Sequence, residues 1–367
     1  MDARTLGLIG VVLLILGTAS AVVRYLKQRA DAGVDLALVE NFRVRLRAWW
    51  LLFAGLAGAL LLGRSVTVLL FGLIGFWALR EFITLTPTRP GDHRTVFWVF
   101  FLCTPLQFAL VGIDSRWFRQ HLGMSPYNLY SILIPVYAFL FIPVRIAMSG
   151  DSKRFLERTA KIQAGLLVCV YCLSYAPALL TVDFPQVPAV GQASLGAPTL
   201  NAPAVEPVTA APGQPDVSPG MGNADRMALG GKIRLLFFFV LMVQLSDALQ
   251  YAWSRLPSRH VIVPTISPAR TWEGLLGGSA SVTLLGTALW FATPFPHWWQ
   301  AALISLVVAL MSFCGGLTMS AVKRDRGVKD YGTLVEGHGG VLDRIDSICF
   351  SAPAFFHLAC LMLGAPK

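Results

Sequence analysis

Ten charged side chains crowd into residues 320–346, SAVKRDRGVKDYGTLVEGHGGVLDRID, between two long apolar runs. Lys323, Arg324, Arg326, Lys329 and Arg344 are interleaved with Asp325, Asp330, Glu336, Asp343 and Asp346. That mixture suits a place where anionic phosphates meet a hard cation: basic groups neutralise phosphate oxygens and carboxylates hold the metal. Asp343 and Asp346 are three apart, so in a helix they share one face and can share a divalent cation. Gly337, Gly339 and Gly340 allow close backbone approach of the kind that cradles phosphate. His338, flanked by Asp330 and Asp343, is either a phosphate or metal contact or a simple turn residue.

Two upstream features have related chemistry. Asp247 lies inside RLLFFFVLMVQLSDALQYAW, where a carboxylate costs a few kcal/mol unless it faces a cation or a wet cavity. It reads as an ion ligand or pathway residue, with an interfacial residue as the plain alternative. The stretch ISPARTWEG, 266–274, begins a turn at Ser267-Pro268 and runs into an apolar segment. Its backbone N–H groups suit an anion, Arg270 adds a permanent charge and Thr271 a hydroxyl; the same pattern also starts ordinary membrane helices. The six cysteines all fall in apolar runs, and the Cys169–Cys172 pair has no nearby His, so they read as core residues.

The elements that must position these groups are set by composition. With mean hydropathy +0.62, 55% apolar and 14% charged residues, the chain falls outside the soluble globular range. An all-α polytopic membrane protein is expected, with about ten transmembrane helices and catalytic loops on the cytoplasmic side. Runs long enough for roughly 30 Å of hydrocarbon lie near 5–23, 48–63, 65–82, 95–113, 126–144, 162–182, 232–253, 273–294, 298–321 and 346–364. A removed signal peptide ending at Ala19-Ser20-Ala21 fits less well than an uncleaved helix, because cleavage would spoil the charge asymmetry. Of the 30 Lys and Arg residues, 22 fall in 24–47, 80–94, 145–161, 255–270 and 323–344. These are alternate loops, which puts them in the cytoplasm and both termini outside.

Three regions are expected: a six-helix membrane region, 1–182; a Pro/Ala-rich extracytoplasmic linker, 183–230, most marked in 183–225; and a catalytic four-helix region, 231–367. Residues 34–47 fit either a helix in the headgroup layer or an ordinary positive flank. The net charge of +10 comes with no nucleic-acid-binding signature, so anionic lipid headgroups are the expected partners and nucleic acid is not.

The pattern S-x-x-K-R-x4-K-D-x-G-x4-G-H-G-G-x-x-D-R-x-D, from Ser320 to Asp346, resembles the signature of the phosphatidate cytidylyltransferases, or CDP-diacylglycerol synthases. SPARTWEG is similar to the family's SPxKTWEG, and Asp247 matches its acidic position within a span. The resemblance covers roughly 50–364 in layout and is specific in 244–278 and 320–347. It departs at Ser246 (commonly Asn), Arg270 (commonly Lys) and Glu336 (commonly Pro), which leaves the acceptor lipid open.

The resemblance implies that the phosphate of phosphatidate attacks the α-phosphorus of CTP, giving CDP-diacylglycerol and pyrophosphate, at the cytoplasmic face of a bacterial inner membrane. It implies Mg²⁺, with room for a second cation, on Asp247, Asp330, Asp343 and Asp346. Lys323, Arg324, Lys329, Asp330, His338, Asp343, Arg344 and Asp346 are the implied catalytic set. Ser267, Arg270, Thr271, Glu273, Ser320, Gly337, Gly339 and Gly340 would bind substrate. A homodimer is compatible with this reading. The alternatives are a CTP-dependent polyprenol kinase, a cytidylyltransferase for another lipid phosphate, and a transporter with Asp247 and Glu273 along an ion path.

Overall fold

A computed structural model describes residues 3–28, 36–85, 89–181, 223–256, 260–332 and 339–364. Its helices are α1 (Ala3–Gln28), α2 (Leu36–Leu62), α3 (Arg64–Leu85), α4 (Pro90–Gly112), α5 (Ser115–Leu122), α6 (Pro126–Ala147), α7 (Phe155–Ala178), α8 (Asn223–Trp253), α9 (Trp272–Ala288), α10 (Trp298–Asp325) and α11 (Leu342–Leu363). Two short strands, β1 (Val261–Val263) and β2 (Ser267–Thr271), form an antiparallel hairpin between α8 and α9.

Backbone polar groups cannot be left unpaired in hydrocarbon, so the apolar runs fold as helices that satisfy their own N–H and C=O groups. Seven of the expected spans, on α3, α4, α6, α7, α8, α10 and α11, are helices long and apolar enough to cross a membrane. The other three apolar stretches are helical over the shorter runs Gly10–Tyr25, Trp49–Leu62 and Trp272–Ala288. Side chains such as Leu62, Leu284 and Leu361 stay exposed on the bundle, as lipid-facing residues do. This is an integral, multi-pass, all-α membrane protein.

Some local expectations differ in detail. The basic segment 36–47 is the first part of α2, continuous with the apolar run, and so is a positive flank of that helix. Helix α8 starts at Asn223, inside the Pro/Ala-rich stretch; the rest of that stretch lies outside the described residues. Ser267–Thr271 is a strand, because the β-branched run Val261–Val263 pairs with it, Val263 opposite Ser267 and Val261 opposite Thr271.

Four of the basic segments share one end of the bundle. Arg158 of α7 is buried against Asp92 at the start of α4 and also reaches Asp151 before α7. Arg89 pairs with Asp151 at 2.9 Å. Arg326, after α10, approaches Glu157 of α7 at 3.7 Å, and Arg324 donates to the Ile266 carbonyl of the hairpin. Helix α11 packs on α10 and α8 and also on α3 and α7, so the helices before and after the linker share one apolar core.

Candidate functional site

The site assembles at that end from α8, the hairpin, α10 and α11. Helix α8 carries Asp247 and α11 carries Ser347, whose hydroxyl donates to Asp247 Oδ1 at 2.8 Å. Asp346 Oδ1 lies 3.4 Å from the same hydroxyl oxygen and accepts the Ser347 N–H at 2.7 Å. Two carboxylates from different helices therefore meet at one serine. Arg270, Lys323 and Asp343 are the other charges acting on Asp346.

Arg270 reaches this junction from the end of β2. Its guanidinium sits 4.9 Å from the centre of the Phe313 ring and donates to the Phe313 carbonyl at 3.2 Å, combining cation–π and hydrogen-bond contacts. It lies directly over Gly316 of α10, where any Cβ would overlap it. A planar guanidinium can donate to Phe313 with one nitrogen while the others present a fixed fork to a ligand, a geometry that the single nitrogen of an ammonium lacks. Arg270 in place of Lys is thus accommodated by Gly316 and Phe313. Ser246 is fully buried and accepts from Gln250, which also donates to the Ala309 carbonyl. That departure serves helix packing.

The neighbouring residues have more structural tasks than expected. Thr271 is the N-cap of α9, its hydroxyl accepting from Gly274 N–H at 3.0 Å. Glu273 accepts from the backbone N–H of His260 at 3.1 Å and contacts its ring at 2.6 Å, closing the base of the hairpin. Ser320 donates back to the Gly316 carbonyl, and Ser267 is a half-buried strand residue. Arg324, Lys329 and Asp330 are exposed.

Two carboxylates hold the described residues at either end of the connection between α10 and α11. Asp343 Oδ1 pairs with Lys323 Nζ at 2.7 Å, while Oδ2 accepts the N–H groups of Tyr331 and Gly340, both at 2.9 Å. Lys323 also lies 5.5 Å from the centre of the Tyr331 ring. Burial pushes the Tyr331 hydroxyl well above its ordinary pKa; it stays protonated and donates to the Met319 carbonyl. The second carboxylate is Glu81 of α3, which accepts from Val341 and Leu342 N–H at 2.9 and 2.8 Å.

Gly339 and Gly340, expected as substrate-binding residues, lie beside these two carboxylates. The N–H groups of Gly340, Val341 and Leu342 point at the Asp343 and Glu81 carboxylates in this structure. Gly339 adopts φ +77° with Asp330 and Asp343 oxygens close by. Glu336, Gly337 and His338 lie outside the described residues. Arg344 is half-buried in the first turn of α11.

Among the described residues no three His, Cys, Asp or Glu groups converge as a closed metal set. The four expected ligands divide into Asp247 with Asp346 at Ser347, and Asp330 with Asp343 at Gly339. Asp343 is largely engaged by Lys323 and two backbone donors. The first pair fits Mg²⁺, a hard cation that takes one or two carboxylates and completes its shell with waters and substrate phosphates.

Four contributors went unrecognised in the sequence. Ser347, Gly316 and Tyr331 carry no signal alone, since small and aromatic residues are common in membrane helices. Glu81 does carry one: it is a carboxylate in the apolar run FGLIGFWALREFIT, the criterion that marked Asp247.

The sequence model of the cytidylyltransferase family matches residues 43–362. Over 315 residues the chain is 30% identical to a protein of Escherichia coli K12 named uncharacterized protein YnbB, covering 86% of each. It is 39% identical over 131 residues to the phosphatidate cytidylyltransferase of Mycobacterium bovis, covering 35% of this chain and 42% of the relative. With the phosphatidate cytidylyltransferase of Synechocystis sp. it shares 46% over 102 residues, 27% and 34% of the two chains. The chain thus spans less than half the length of these phosphatidate cytidylyltransferases.

Proposed function

The chain belongs to the cytidylyltransferase family, and from that premise we propose that it transfers the cytidylyl group of CTP to a lipid phosphate, with phosphatidate as the acceptor. The observation that carries this reading is the junction of Asp247, Asp346 and Ser347 beside Arg270 and Lys323. It combines carboxylates for a hard cation with cations for phosphate oxygens at the end of a membrane bundle.

In the proposed reaction a phosphate oxygen of the lipid attacks the α-phosphorus of CTP. One P–O bond forms, the bond from the α-phosphorus to the bridging oxygen breaks, and pyrophosphate leaves with that electron pair. A phosphomonoester is already anionic near neutral pH, so a strong general base is not required. The barrier comes from bringing two anions together, and charge neutralisation with in-line positioning lowers it.

Arg270 and Lys323, whose charges both act on Asp346, supply that neutralisation. Arg270 is oriented by Phe313, and Lys323 by Asp343 and the Tyr331 ring. Arg324, Lys329 and Arg344 add positive charge at the rim for the nucleotide and the departing pyrophosphate. Asp247 and Asp346 would hold Mg²⁺, which supplies Lewis-acid polarisation of the nucleotide phosphates. Ser347 keeps the two carboxylates facing one another.

The site is assigned to the cytoplasmic face of a bacterial inner membrane, where CTP is available. The shared face of the four basic segments and the positive-inside rule support this orientation. The test is incubation of the purified protein with α-labelled CTP, Mg²⁺ and a panel of lipid phosphates. Label in CDP-diacylglycerol with release of pyrophosphate is expected. Label retained in CDP with a phosphorylated lipid would make it a kinase, and no lipid-dependent turnover would end the proposal.

A further inference from the structure

We infer that Glu81, from the helices before the linker, is a positioning residue for the transfer site, although every motif of that site lies after the linker. The kinetic part of this inference rests on the proposed cytidylyl transfer; the structural part does not.

Glu81 lies near the end of α3 and is 5% exposed. Both of its oxygens are used: Oε1 accepts from Val341 N–H at 2.9 Å and Oε2 from Leu342 N–H at 2.8 Å. These are the donors at the start of α11, and a carboxylate there satisfies otherwise orphaned N–H groups and opposes the positive end of the helix. Asp343 takes the preceding donor, Gly340 N–H. Three consecutive N–H groups are thus divided between one acid from α11 and one from α3.

The glycines of the turn fit this arrangement. A Cβ on Gly340 would overlap the Glu81 carboxylate, and one on Gly332 would lie 3.1 Å from Glu81 Oε1. The backbone therefore approaches this carboxylate at both glycines, and Gly340 is needed for close approach to Glu81. The next residue of α3, Phe82, stacks on Tyr331 with centroids 6.3 Å apart and planes at 21°. Tyr331 in turn gives its N–H to Asp343, the partner of Lys323. The chain of contacts runs from Glu81 and Phe82 through the loop to Asp343, Lys323 and the first turn of α11, which carries Asp346.

Glu81 touches no proposed substrate group, so its effect is on where Asp343, Lys323 and Asp346 stand. Glutamine at this position keeps the shape but has a single acceptor oxygen. Its NH₂ group would face one of the two backbone donors.

The test compares wild type, Glu81→Gln and Glu81→Ala, purified as full chains and checked for intact thermal unfolding. Two readouts are made: kcat and KM for CTP with label transfer to phosphatidate, and the rate of tryptic cleavage after Lys329 and Arg344. In Glu81→Gln, kcat is expected to fall about tenfold to a hundredfold, with KM for CTP changed less than about threefold, as misplacement of reacting groups produces. Cleavage after Lys329 and Arg344 should accelerate in both variants. Wild-type kcat and wild-type cleavage in Glu81→Gln overturn the inference. An equal loss explained by a collapsed unfolding transition in both variants also overturns it, because Glu81 would then serve stability alone. If the wild type transfers no label to any lipid phosphate, the cytidylyl reading fails and the cleavage rates alone decide whether Glu81 holds the loop.

Discussion

Ser347 of α11 donates its hydroxyl to Asp247 of α8 at 2.8 Å, across 100 positions of sequence. The same oxygen stands 3.4 Å from Asp346. One small polar side chain thus joins the carboxylate of the α8 span to the conspicuous charged segment. Several expectations depend on this contact and on the groups around it.

Ser347→Ala removes the hydroxyl that keeps the two carboxylates together. Activity should fall about 10–100-fold, as when a residue orienting a metal ligand is lost, while stability drops by only about 1 kcal/mol. Label transfer and thermal unfolding measure the two effects. Full activity would mean that the bridge has no catalytic consequence.

Asp247→Asn and Asp346→Asn should each reduce turnover by about 100-fold or more, the scale of losing one preorganised charge contact. Chelation of Mg²⁺ should abolish wild-type turnover, and the variants should need more Mg²⁺ for half-maximal rate. A folded Asp346→Asn protein with full CTP-dependent activity would remove Asp346 from the metal site.

Gly316→Ala sets stability against activity. Alanine favours a helix interior over glycine by about 1 kcal/mol, and the far end of Arg270 can swing away, so the fold should be unharmed. The displaced guanidinium should lower kcat/KM for CTP by about tenfold. Steady-state kinetics beside a thermal melt separates the two, and unchanged kinetics would show that Arg270 does not act from its observed position.

Arg158→Ala leaves Asp92 buried without its cation. The two side chains are 6% and 1% exposed, and breaking such a pair costs about 3–5 kcal/mol. Arg89→Ala, which breaks only the much more open pair with Asp151, should change stability by no more than about 1 kcal/mol. Equal destabilisation in detergent-solubilised protein would contradict the distinction.

Sidedness can be read without activity. Lys329 is exposed in the loop after α10, so a cysteine introduced there should react with a membrane-impermeant maleimide in inverted vesicles and not in intact cells, relative to the parent protein. Labelling in intact cells would reverse the assigned orientation.

Much of this was readable along the chain, for a local reason. A helix must satisfy its backbone inside one segment, so apolar length alone reveals the all-α membrane fold. Charge in apolar surroundings is costly, so Asp247 and the 320–346 segment stand out by type and position. The family pattern likewise lies in two short stretches, each contiguous in sequence.

Which groups meet was a different matter. Nothing in the sequence says that the N–H groups of Gly340, Val341 and Leu342 face Glu81 and Asp343. Nor does residue type distinguish Ser347, which joins two acids, from Ser320, which bonds back within its own helix. Those roles depend on the packing of α3, α8, α10 and α11. The chain's covalent order establishes elements and charges, and only helix packing decides which donor finds which acceptor.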